Sequence, residues 1–169
     1  MKLTRNLFIP CLDTSEKKDG SGFVPIDKST IFELSFNPGE ETYSYICDQN
    51  DTTEITSYAP ELPQEIVLDS DNPLFAFVYP LLMGLPVGSA AVVPCLLIEP
   101  DMATGQPTKG RLWSEAVVSG DTLSTVDGKV SFKIKLNGDP TTGTVAITNE
   151  GGKKKIAFTA AADAAAAKA

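Results

Sequence analysis

The run SYAPELPQEIVLDSDNPLFAFVYPLLMG, residues 57–84, changes its hydrophobic period halfway along. Residues 64–68 read as a strand, short and apolar and closed by a turn-forming Asp-Ser-Asp-Asn. Asp71-Asn72-Pro73 then supplies a capping residue followed by proline at the first helical position. Leu74, Phe77, Val78, Leu81 and Leu82 recur at i, i+3, i+4, i+7 and i+8. That spacing is one face of a helix, predicted over 72–84 and stopped by Gly84 and Pro86. Pro80 falls inside it, which predicts a kink or a shortening to two irregular turns. At 100° steps Phe75, Tyr79 and Met83 form a second apolar side, so this helix is expected to be buried nearly all round.

Everything outside the helix reads as strand, turn or loop. Upstream, residues 29–36 alternate, with Phe32, Leu34 and Phe36 on one face, which predicts a half-buried strand. A turn at 37–40 leads to a hairpin partner at 42–47, rich in aromatic and β-branched residues. Residues 48–63 are polar and acidic with a short β-like patch at 55–58 and prolines at 60 and 63, and predict a long loop. Residues 1–22 read as an N-terminal arm with a charged, glycine-rich loop. Downstream, the nearly all-apolar run 90–98 predicts a strand buried on both faces. Further strands are expected at 111–118, 130–136, 144–148 and 155–159, with a turn region over 120–128. Residues 161–169 are alanine-rich and predicted disordered. The whole is mainly β: an antiparallel β-sandwich or barrel of about eight strands with one inserted α-helix, carried by one domain over 23–160.

Composition narrows the chemistry. The 169 residues contain 42% hydrophobic and 21% charged side chains, as an ordered globular chain does. Fourteen Lys and Arg against 22 Asp and Glu give a net charge of −8, which argues against gripping phosphate backbones. The sequence has no histidine, so it lacks the commonest general base and the commonest zinc ligand. Cys11, Cys47 and Cys95 are odd in number and widely spaced, which reads as reduced thiols of a protein made in a reducing compartment. Asp69 with Asp71, and Glu40 with Glu41, read as turn and cap residues rather than as an acid–base pair. Asp48, Asp51 and Glu54 lack the glycine and closing glutamate of an EF-hand. Lys153-Lys154-Lys155 is short for a nucleic-acid patch. No enzyme activity, cofactor or metal is expected. The apolar stretch before Pro10 is too short for an export signal, and that over 74–87 is too short to cross a bilayer.

The order of elements over residues 26–160 resembles the tail tube (major tail) proteins of long-tailed bacteriophages. The resemblance rests on the 57–84 run quoted above and on the closing strands DGKVSFKIKLNGDP (127–140) and GTVAITNEG (143–151). It implies six subunits in a ring, inner strands forming a continuous lumen, rings stacked through a long loop, and DNA passing through the bore without specific binding. Carried onto this chain, it makes 48–63 the ring-stacking loop, with Asp48, Asp51, Glu54, Tyr58 and Glu61. Independently of the resemblance, one small β-domain offers the helix a single sheet face, so the second side, Phe75, Tyr79 and Met83, is expected against a neighbouring subunit; the alternative is that residues 100–109 of the same chain cover it. Glu33, Glu115, Lys133 and Lys135 become candidate lumen residues. The implied partners are other copies of the chain and the tape-measure, terminator and tail-tip proteins, with no membrane. The implied location is a virion tail, assembled in the host bacterial cytoplasm. Two other classes fit the composition: a capsid decoration or head–tail connector protein, and a carbohydrate- or protein-binding β-sandwich module.

Overall fold

Alternating apolar residues dominate this chain, and in the computed structural model, which describes residues 2–161, they form eleven strands and one α-helix. In order these are β1 (Ile9–Asp13), β2 (Phe23–Pro25), β3 (Pro38–Tyr43), β4 (Thr52–Tyr58), β5 (Glu61–Val67), α1 (Pro73–Met83), β6 (Cys95–Glu99), β7 (Lys109–Trp113), β8 (Val117–Ser124), β9 (Lys129–Lys135), β10 (Thr141–Glu150) and β11 (Lys153–Ala160). A six-stranded antiparallel sheet runs β11-β10-β7-β6-β1-β2, and β11 comes back against β2, so the sheet nearly closes into a barrel. A second, three-stranded sheet runs β5-β9-β8, and β3-β4 form a separate two-stranded ribbon. Of the expected tail at 161–169, all but Ala161 lies outside the described residues.

Strand β6 shows how the layers meet. Cys95 and Leu97 point into a large core with Leu62, Ile66, Val118, Phe132 and Ile134, between the two sheets. Leu96 and Ile98 point the other way, into a second core with Cys11, Phe23, Val145 and Ile156 inside the curled sheet. Burial on both faces is what the unbroken apolar run predicted. The curl needs a close approach at one place. Gly110 and Gly143 pair across β7 and β10, and the Phe158 ring lies over both. A Cβ on Gly143 would come within 2.2 Å of the Thr159 carbonyl oxygen.

Helix α1 packs on the large core through Leu74 and Val78, both buried, with Phe77, Leu81 and Leu82 half-buried beside them. Asn72 is its N-cap, Oδ1 accepting from the Leu74 N–H at 3.1 Å, and Pro73 opens the first turn. The expected kink does not shorten the helix to two turns, since it runs eleven residues through Pro80. Pro80 and Ala76 both lie on the solvent side, so the carbonyl that loses its donor faces solvent rather than the core.

Six expectations are corrected. Residues 1–22 are no detached arm: β1 lies within the six-stranded sheet, with Cys11, Leu12 and Asp13 fully buried. Asp13 accepts from the Ser15 and Gly20 backbone N–H groups and the Ser15 hydroxyl, which organises the loop to β2. Residues 29–36 are an irregular segment held along β5 by two isolated bridges, Ser29 to Ile66 and Ser35 to Glu61. The stretch 48–63 is no loop: it holds all of β4 and the start of β5, and the turn expected at 37–40 is the beginning of β3. The strand expected at 111–118 is broken by a turn at Ser114 and Glu115, where the chain leaves one sheet for the other. The region 120–128 is mostly β8, which bulges between Gly120 and Thr122.

Candidate assembly interface

Three surface features are built from residues that the core does not use. The first is the β3–β4 ribbon. Every residue of β4 is exposed, as are all but Gly39 in β3, so among the described residues the ribbon adds nothing to either core. Its charge is wholly negative: Glu40, Glu41, Asp48, Asp51 and Glu54, with no lysine or arginine between 37 and 58. Glu41 and Glu54 stand directly opposite each other across the ribbon. Facing like charges destabilise a strand pair. The Tyr43 hydroxyl donates to Glu41 at 2.5 Å, which raises the tyrosine pKa. Tyr43 and Tyr45 stack with ring centroids 6.1 Å apart, and the Ser44 hydroxyl donates to Asp51 to close the tip. Tyr45 and Ile46 project at that tip into solvent, Ile46 without any cover. Of the expected stacking residues, Asp48 and Asp51 are in the tip, and Glu54 and Tyr58 are on β4. Glu61 belongs to the body, in register with Lys135.

The second feature is a groove of about 560 Å³ between the N-terminal turn, the start of β1 and residues 26–32. Phe8, Ile9, Ile31 and Phe32 give it apolar walls, with the Phe8 and Phe32 rings 6.2 Å apart. Arg5 and Lys154 stand at it with Asp27, a balance of two positive charges to one negative. Gln64 of β5 also lines it. That side chain is 1% exposed, and among the described residues neither its amide nitrogen nor its amide oxygen has a hydrogen-bond partner. A buried amide left this way costs about 1–3 kcal/mol.

The third feature lies beside α1. Tyr79 (40% exposed) and Met83 (61%) form one wall of an apolar groove of about 710 Å³, completed by Leu85, Val87 and Leu123. Phe75 differs from these two: it is half-buried against the core, with its ring 5.4 Å from that of Tyr79. The connection after α1 and strand β8 flank this side, and residues 100–109 do not reach it. β8 is also the edge strand of its sheet, bridged only at its start by Val92 to Val117.

The candidate lumen residues divide. Lys133 and Lys135 project from the outer face of β9, the central strand of the three-stranded sheet. The same face carries the Lys129–Glu65 ion pair at 2.7 Å. Hydrogen bonds from Lys129 and Thr30 hold the Glu65 carboxyl below its usual range. Glu33 is on the segment alongside β5, whereas Glu115 sits in the turn between β7 and β8, off that face. Cys47 is exposed near the ribbon tip, while burial pushes the Cys95 thiol up to about 12 and Cys11 likewise upward. No helix among the described residues is long and apolar enough to cross a membrane.

Sequence pattern placed none of the orphaned Gln64 chemistry, because an inward polar residue in a strand gives no signal of its partners. The ribbon was legible as an acidic stretch with β-like pieces at 42–47 and 55–58, but not as two strands paired with each other.

No protein-family profile matches the chain, and no curated protein sequence matches it. Solved structures do. A chain in the structure of the anti-feeding prophage cap, a tube-terminating cap, superposes with a TM-score of 0.50 at 11% identity, covering 85% of this chain and 92% of that one. A chain in the sheath/tube terminator of an extracellular contractile injection system, in its extended state, superposes at 0.51 and 8% identity, covering 82% and 94%. At such identities the likeness is one of fold, and nearly the whole of each of those chains shares it.

Proposed function

We propose that this protein is a structural subunit of a phage-tail-like tube, forming rings that stack through the β3–β4 ribbon. The ribbon carries the reading. A two-stranded ribbon is marginal in water by itself, and this one buries neither face and opposes two glutamates. A chain keeps such an element when another molecule completes it. The fold shared with chains from two tube-ending assemblies supports the same class of particle. Net charge adds to it: at −8 per chain, a bore lined by copies of this protein repels DNA phosphates and lets them slide. The remaining partners would be the tape-measure, terminator and tail-tip proteins of such a tail.

Because those two neighbours end tubes, a terminator ring is the second reading. Negative-stain microscopy of the concentrated protein separates the two. A stacking subunit gives hollow tubes of uniform width. A terminator gives single rings that bind tube ends. Strict monomers at high concentration, with or without tail components, would refute both.

A further inference from the structure

The ribbon and the Gln64 groove lie at opposite ends of one stretch of chain. Residues 29–35 run along β5 from the Ser29–Ile66 bridge, beside the groove, to the Ser35–Glu61 bridge, beside the base of the ribbon.

We propose that the groove is the seat of the ribbon tip of a second copy of this chain. This rests on the stacking reading above and names the surface that receives the arm. Two properties match. The tip is apolar at Tyr45 and Ile46, and the groove walls are Phe8, Ile9, Ile31 and Phe32. The tip is acidic at Asp48 and Asp51, and Arg5 and Lys154, which have no carboxylate partner among the described residues, stand at the groove against a single carboxylate, Asp27. The apolar groove beside α1 is a poorer seat, since it carries Asp121 and no cation. The contact joins two different surfaces, so it repeats from copy to copy without closing on a pair.

The test uses a thiol that the chain already has. Asn6 lies at the groove and is exposed, and Cys47 is exposed near the tip, whereas Cys11 and Cys95 are buried. The Asn6→Cys variant, assembled and treated with diamide, should give a non-reducing gel ladder of dimers, trimers and higher species. Adding Cys47→Ser should erase the ladder. Arg5→Glu with Lys154→Glu should raise the concentration needed for assembly roughly tenfold, and Asp48→Lys with Asp51→Lys in the same chain should restore it. If microscopy shows tubes while Asn6→Cys gives no ladder, or Met83→Cys gives one instead, this seat is wrong and the tube reading stands. A wild-type chain that never self-associates overturns both.

Discussion

A chain in which residues 40–56 are replaced by a short Asn-Gly turn is expected to fold, to keep its melting temperature within a few degrees, and to lose tube formation altogether. The ribbon contributes nothing to either core, and all of β4 is exposed, so its removal takes away little burial. Shortening a surface connection changes closure entropy only weakly, and the net effect on stability should stay within about 1 kcal/mol. Assembly behaves differently, because each level of a stack would lose its reaching element. Circular dichroism melts report the first half and electron microscopy the second. Tubes of normal length from the shortened chain would make the ribbon a passive insertion.

The second large effect comes from adjacent residues of α1. Val78 is fully buried beneath the helix, while Tyr79 is 40% exposed on the neighbouring side. Val78→Asp places a carboxylate in the main core with no cation near it, at a cost of several kcal/mol against a total stability of about 5–15. That chain should be unfolded at room temperature. Tyr79→Glu puts its charge at the rim of an open groove and should cost the monomer less than about 1 kcal/mol. If this side meets a neighbouring copy, ring formation should nevertheless fail, because the charge is then desolvated. Urea melts together with sedimentation velocity give both numbers. A Tyr79→Glu monomer as unstable as Val78→Asp would show that the side is occupied within the chain.

These residues also show where sequence reading reaches. Strand β9 was plain, because Val130, Phe132 and Ile134 face the core while Ser131, Lys133 and Lys135 face water. The apolar run of β6 and the helical stripe of α1 were plain for the same reason: burial writes a period into the sequence. Where burial is symmetric in the other sense, the period vanishes. Both faces of the ribbon are wet, so Glu40, Thr42, Thr53 and Ile55 carry no alternation that separates strand from loop. β1 was hidden for another reason. Pro10 and Asp13 look like breakers, yet Pro10 lies within the strand and Asp13 is buried because loop N–H groups surround its carboxylate. The turn at Ser114 and Glu115 was missed because apolar residues flank it on both sides, Trp113 and Ala116 being buried in the same core. The sites fared worse than the strands, since an interface between copies leaves only exposure as its trace in a single chain.

The wall made by β1 and β6 sets how the molecule fails. Cys11 and Leu12 face opposite cores, as do Leu96 and Leu97, so neither core can be opened without removing one side of the other. Such a body has no stable half, and its melting is a single cooperative event with one calorimetric peak. Two separate peaks would contradict the shared wall. A filament built of such units has its weak planes between subunits rather than within them. Under pulling or bending it parts at a joint, and the freed pieces remain intact and competent to join again.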